Sequence, residues 1–373
     1  MNTLRPTIWT AVLAIAFAGG CVDVGQDRAA FDETIGIASH GAVDVRVTDG
    51  LARIVSLDEG SLILWAQAPS LEVILTTEAT ESTPKTLEIQ NCVADAVLTV
   101  IAADGTSLRL ESAAGETPTT RRWTLPEPGT GPAIWRIASP RATQDAPFRF
   151  VVFADVQRRL DGIQDLFGPM AQEPDVHFGL ISGDLTSDGS LVDLRKFQQA
   201  MKTLPFPLYA SPGNHDIGTD EHHFQRTFGR CSFSFDYGGV RVTSLDSASA
   251  TLAPRVHRRL DDWLTAGRDR LHVVISHIPP LDPVGTRNGA FASRLEGADL
   301  LGRLSRGGVD LTIYGHVHSY YVFENAGIEA IITGGGGAIP QRLDGIGRHY
   351  LVVEADPARQ RFVAAPIRVY PEE

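Results

Sequence analysis

The chain has 373 residues, 43% of them hydrophobic and 21% charged, with a formal net charge of −12. That length and balance allow two ordinary domains and exclude a disordered chain. The acidity excludes a surface built as a whole to hold nucleic acid or anionic lipid, so an anionic substrate must be drawn by local positive charge, of which bound metal ions are the simplest source.

The first segment reads as a targeting signal over residues 1–20, with Arg5 as its basic start and an apolar run at 8–18. That run is too short to cross a bilayer core, which takes roughly 20 residues. Ala18-Gly19-Gly20-Cys21 resembles a bacterial lipobox, although Ala18 stands where that pattern prefers Leu. In that reading Cys21 is lipidated and begins the mature chain, and several acyl chains hold it at the membrane. The expected location is a membrane-anchored lipoprotein on the periplasmic or outer-membrane face. The alternative is soluble periplasmic or secreted protein cut after Ala16-Phe17-Ala18. Cys92 and Cys231 could pair in an oxidising compartment or remain buried thiols, and both readings stand.

Residues 21–146 read as a small all-β domain. Short β-like segments at 42–47, 61–67, 71–76, 96–102 and 107–111 are separated by Gly, Pro, Asp and Ser clusters. Trp65, Trp123 and Trp135 are expected to pack its core, and His40 to lie on its surface. No catalytic constellation falls here.

From 147 to 373 apolar runs alternate with amphipathic ones, the signature of α/β layering. Strands are expected at 148–153, 176–181, 208–210, 240–245, 271–276, 311–314 and 330–333, and helices at 157–168, 192–202, 254–266 and 297–306. Polar groups follow these runs repeatedly: Asp155 and Gln157, Gly183-Asp184, Gly213-Asn214-His215-Asp216, His277, then Gly315-His316-Val317-His318. The carboxyl ends of sheet strands are where α/β folds place ligands. The glycines before Asp184, Asn214 and His316 permit a sharp exit and close backbone approach. Carboxylates, amides and imidazoles without cysteine suit Mn, Fe or Zn rather than a thiolate site.

These motifs, in this order, resemble those of the calcineurin-like metallophosphoesterases, a superfamily that includes purple acid phosphatases and class III cyclic-nucleotide phosphodiesterases. The resemblance covers about 148–340. It implies a four-layer α/β/β/α sandwich, here an α+β fold preceded by the all-β domain, and a site with two divalent or trivalent ions. Carried over by position, Asp155, Gln157, Asp184 and His318 hold the first ion. Asp184 as the bridge, Asn214, His277 and His316 hold the second. The implied reaction is hydrolysis of phosphate mono- or diesters by a metal-bridging hydroxide, with His215 protonating the leaving oxygen.

Asp188 is expected to orient His215, and Asp216 to support the loop. Gln157 departs from the pattern, which usually has His there, and its neutral amide oxygen implies weaker first-site affinity or a preference for Mn or Fe over Zn. Arg287, in the loop after His277, and His222, close to His215 in sequence, are candidates to touch substrate. The run 334–337 lacks the Lys-Ser/Thr of a phosphate loop, so a turn with positive φ near the metal rim is expected. The expected partners are a phosphate-ester substrate and the membrane through Cys21 only, with no nucleic acid, for a monomeric chain. The competing readings are a catalytically inactive binding or adhesion lipoprotein on the same scaffold, and a metallohydrolase of other esters such as phosphonates.

Overall fold

The structure is a computed structural model that describes residues 24–77, 84–126, 131–218, 220, 222–285, 289–341 and 344–370. The targeting signal, Cys21 and Arg287 lie outside the described residues.

The first half is a pair of sheets. One has six strands, in the order Ile37–His40, Val43–Val47, Ser70–Thr77, Ala133–Ala138, Val97–Ile101 and Ser107–Glu111. The other has five, in the order Ala52–Asp58, Ser61–Ala66, Thr86–Gln90, Arg121–Thr124 and Ala113–Ala114. Val43–Val47 shows how sequence makes such a sheet: Val43, Val45 and Val47 are buried while Asp44 and Arg46 between them are exposed. Trp123 and Trp135 pack in this core, but Trp65 does not. It turns to the second half and meets Phe228 edge-on at 6.5 Å, because Ser61–Ala66 lies where the two halves touch.

The second half is a four-layer α/β/β/α sandwich. Its first sheet runs Leu208–Ser211, Val176–Ser182, Phe148–Phe153, His349–Asp356 and Arg361–Arg368. Its second runs Phe233–Tyr237, Val240–Leu245, Leu271–Ser276, Leu311–Tyr314, Ile328–Thr333 and Tyr320–Asn325. Phe150, Val152, Phe178 and Leu180 of one sheet share a core with Val242, Val273, Ile275 and Ile313 of the other. Helices cover both outer faces, Leu191–Met201 on the first and Pro254–Gly267 with Arg294–Arg306 on the second. Strands buried on both sides need apolar residues at nearly every position, which is why 148–153 and 271–276 read as mostly apolar runs, broken only by Arg149, His272 and Ser276.

The expected helix over 157–168 is replaced by a 3-10 turn, Gln157–Gly162, followed by a short helix, Gln164–Met170. Gln157 has φ +43°, outside helical geometry, so no regular helix can begin there.

Residues from the first half clamp the second. Asn91 donates to the Leu208 carbonyl at 2.7 Å and accepts from its N–H at 3.0 Å. Gln67 does the same with Arg230, at 2.9 and 2.5 Å. The helix Val24–Phe31 and the turn after it pack on the second half, where Arg28 pairs with Asp246 at 2.8 Å and Asp32 accepts from the N–H groups of Cys231 and Ser232. Cys92 and Cys231 are buried free thiols. Among the described residues no helix is long and apolar enough to cross a membrane.

Candidate metal centre

Strands 148–153, 176–182 and 208–211 run parallel in one sheet, as do 271–276 and 311–314 in the other. Parallel strands release their chains at one end, so Asp155, Gln157, Asp184, Asn214, His277, His316 and His318 all leave on the same rim. Their backbones are bent to bring them together. Asp155, Gln157, Asp184 and His316 have φ of +64°, +43°, +57° and +67°. Left-handed backbone at a non-glycine residue costs on the order of 1–3 kcal/mol, and such strain gathers at functional sites.

Glycines make the approach possible. A Cβ on Gly213 would stand 2.2 Å from Asp184 Oδ1, and one on Gly315 would stand 2.9 Å from Asp155 Oδ2. The glycines at 334–337 act mostly by closeness rather than by turning: of the four only Gly337 has positive φ, at +147°. A Cβ on Gly335 would meet the His349 ring at 2.0 Å and one on Gly336 the Ala154 carbonyl at 2.4 Å. The backbone there zips onto the first motif, Gly336 N–H to Ala154 O at 2.8 Å and Ala338 N–H to Asp155 O at 2.7 Å.

Asp184 lies between two sets of donors. Its Oδ2 receives the Gln157 amide at 2.7 Å, and the same amide nitrogen is 3.4 Å from His318 Nε2. Its Oδ1 is 3.3 Å from His277 Nε2, which is itself 3.1 Å from Asn214 Oδ1. His318 Nε2 is 3.3 Å from Asp155 Oδ1, and the His277 and His316 rings meet edge to face at 5.2 Å. Asp155, Asp184 and His318 offer ligand atoms within 4.8 Å of one another.

The chemistry of these groups fits divalent cations. Asp155 Oδ1 is buried with no hydrogen-bond partner, a costly state for a carboxylate oxygen unless a cation faces it. Three imidazoles hold backbone carbonyls through Nδ1: His277 on Ser182 at 2.8 Å, His318 on Ile339 at 2.8 Å and His215 on Ser187 at 2.8 Å. Each ring therefore donates from Nδ1 and turns Nε2 into the site, where deprotonated Nε2 of His277 or His318 can offer a lone pair to a cation and protonated Nε2 of His215 can give up a proton. A half-turn of the Gln157 amide presents its oxygen to a cation in place of its nitrogen.

Charge is tightly coupled here. Burial pushes the Asp184 carboxyl up, but the His277 charge, its hydrogen bond and the His215 N–H outweigh this and hold it well below the usual range. Burial pulls His277 down, yet Asp184 and Asp155 raise it to about 9. His316 goes the other way, lowered to about 4 by burial and the His277 charge.

His215 differs from the others by being exposed, so it stands at the mouth above buried carboxylates. The expected partner, Asp188, does not orient it. Asp188 Oδ1 accepts from Ser190 N–H at 3.0 Å, and the ring is held by the Ser187 carbonyl. The cause is Asp216, whose carboxylate accepts from the N–H groups of Gly213, Leu185 and Thr186 and pins the 184–190 loop so that a carbonyl faces the ring. His222 is not turned to the centre either: it stacks on Phe31 at 4.2 Å and meets Gln225 Oε1 at 3.0 Å. Asp155 Oδ2 accepts from the His316 N–H at 2.9 Å, which ties the first motif to the last.

Residues 148–320 match the sequence family described as calcineurin-like phosphoesterase. No curated protein is similar enough in sequence to match the chain. Among solved structures, the fold is similar to GAP50, the anchor in the inner membrane complex of Plasmodium, at 17% identity over 61% of this chain and 86% of that one, TM-score 0.45. It is also similar to a dimetal phosphatase from Danio rerio at 15% identity, covering 60% of this chain and 99% of that one, TM-score 0.44. A third likeness is to PhoD, at 11% identity, 77% and 82% coverage and TM-score 0.46.

Proposed function

We propose that this chain, which carries a calcineurin-like phosphoesterase domain over residues 148–320, is a metal-dependent hydrolase of phosphate mono- or diesters. The observation that carries the reading is Asp184, a buried carboxylate with one oxygen toward Gln157 and the other toward His277. A group so placed can bridge two ions, one held with Asp155, Gln157 and His318, the other with Asn214, His277 and His316. Such ions (Mn, Fe or Zn by donor chemistry) would supply Lewis-acid charge at the phosphoryl oxygens and acidify a bound water.

The chain's own part is positional. The buried carboxylates and imidazoles exclude bulk water from the floor of the site, which strengthens each electrostatic contact there. His215 waits at the mouth with Nδ1 fixed on a carbonyl, so Nε2 is the nitrogen free to give a proton to the leaving alcohol. When it does so the imidazolium becomes neutral, and no covalent phosphoenzyme is required.

The purified full chain supplied with Mn should hydrolyse nitrophenyl or bis-nitrophenyl phosphate, the ratio of the two rates separating monoester from diester preference. Chelator should abolish turnover and Mn should restore it. Metal retention without turnover on any phosphate ester would favour the inactive binding protein instead, a reading for which Gln157 in place of His is the only support. A chain that turned over phosphonates alone would be the other metallohydrolase.

Export with lipid attachment at Cys21 is a second proposal, resting on Arg5, the apolar run at 8–18 and the Ala18-Gly19-Gly20-Cys21 sequence. Globomycin should leave an uncleaved precursor in a host that processes lipoproteins; normal processing in its presence would rule lipidation out.

A further inference from the structure

His318 has a second exposure. Besides facing Asp155 and Asp184, it lines a cavity of about 290 Å³ together with Arg159, Arg348, Arg368 and Tyr370. That volume suits a substituent of a ligand rather than a whole drug-sized molecule. In a chain with 45 acidic against 33 basic residues, this cavity is lined, among the described residues, by three arginines and by no Asp or Glu.

The arginines play different parts. Arg348 is a wall: it donates to Gly336 O at 3.1 Å, Asp165 Oδ2 at 3.0 Å and Gly162 O at 3.3 Å. Its pKa is lowered by burial and by the nearby charge of Arg159, so two guanidinium groups stand within electrostatic reach of each other. The single carboxylate on Arg348 leaves that pair with a net positive charge. Arg159 packs its Cβ against Gly337, where an added methyl would come within 2.4 Å. The Arg368 guanidinium lies over the Tyr370 ring, 5.3 Å from its centroid, which steers the group without neutralising it. Arg159 and Arg368 are both exposed.

Resting on the hydrolase reading above, we propose that this cavity is a subsite for a second anionic group on the organic part of the ester, contacted by Arg159 and Arg368. The preferred substrates are then phosphate esters bearing a further carboxylate or phosphate. Gly334, Gly335 and Gly337 line the cavity beside His318, whose Nε2 is 3.3 Å from Asp155 Oδ1 in the candidate metal centre. Arg159 and Arg368 are specificity residues and take no part in the proton transfer.

The test uses the Mn-loaded full chain and a series of linear alkyl phosphates of increasing length, each with and without a terminal carboxylate. At the best length the carboxylate should lower KM about 10- to 100-fold, the range for hydrogen bonds to charged groups, with kcat moving much less. Arg159→Gln with Arg368→Gln should erase that preference. Calorimetric titration with the matching non-hydrolysable phosphonates reads the same preference without turnover. Tighter binding of the carboxylated phosphonate, lost in the double variant, supports the subsite even if no ester is cleaved, in which case only the hydrolase reading falls. Esters cleaved with no carboxylate advantage at any length, or an advantage that survives the double variant, overturn the subsite and leave the hydrolase reading standing.

Discussion

Replacing His215 by Ala should lower kcat by about 10²- to 10⁴-fold on an alkyl phosphate, the range general acids contribute, and by much less on nitrophenyl phosphate. The asymmetry is the diagnostic part. An alkoxide is a poor leaving group and needs a proton as its bond to phosphorus breaks, whereas nitrophenolate leaves without one. The exposed ring has the Ser187 carbonyl as its hydrogen-bond partner, so its removal leaves the buried carboxylates and their donors in place. Steady-state kinetics on both esters, with metal content measured on the same samples, checks this. Equal losses on the two esters would remove His215 from proton donation and leave it a role in binding.

The second large effect is at Asp184. Asp184→Asn should lower turnover by at least about 10³-fold, because the charge stabilisation lost with the ions is worth several kcal/mol and each tenfold in rate is about 1.4 kcal/mol. The amide keeps the shape but lacks the charge that His277 and both ligand sets face, and it offers one oxygen where the carboxylate offers two. Thermal unfolding gives a readout separate from activity. A ligand that binds only the folded chain raises the midpoint, so chelator should lower the Tm of the parent protein and leave that of Asp184→Asn unmoved. A variant that kept chelator-sensitive turnover within tenfold of the parent would remove Asp184 from the bridging position.

What the sequence made visible is explained by where the candidate ligands sit. Asp155, Asp184, Asn214, His277 and His316 each follow an apolar run within a few residues, so a buried strand and the polar group beyond it mark each other. The residues 350–353 carry the same apolar signal inside His349–Asp356, but no candidate ligand follows them to mark the strand. Arg361–Arg368 is harder still, since it has only half-buried and exposed positions, carries Pro366 and lies at a sheet edge, where proline is tolerated. Phe233–Tyr237 and Tyr320–Asn325 are also edge strands of their sheet.

Within the site, side chains were legible and backbone was not. The carbonyls of Ser182, Ser187 and Ile339 set the tautomers of three histidines, and no residue type announces a carbonyl. Asp188 illustrates the consequence: a carboxylate near His215 in the fold is the natural choice from sequence, yet the Asp216 staple turns the loop so that Ser187 presents its carbonyl instead. His222 lies close to His215 in sequence but is drawn off by Phe31, a residue far away in the chain. The arginine cavity is invisible for a similar reason. Arg159, Arg348 and Arg368 come from three distant segments, and a lone arginine in a sequence is ordinarily a solvated one.

The proposed hydrolase needs cations gathered around Asp184. Crystals of the Mn-loaded protein, measured for anomalous scattering at the manganese edge, test it most directly. Two peaks are expected, one among Asp155, Gln157 and His318, the other among Asn214, His277 and His316, with Asp184 touching both. No anomalous density at this rim, or ions bound elsewhere while Asp155 Oδ1 stays unpartnered, would contradict it.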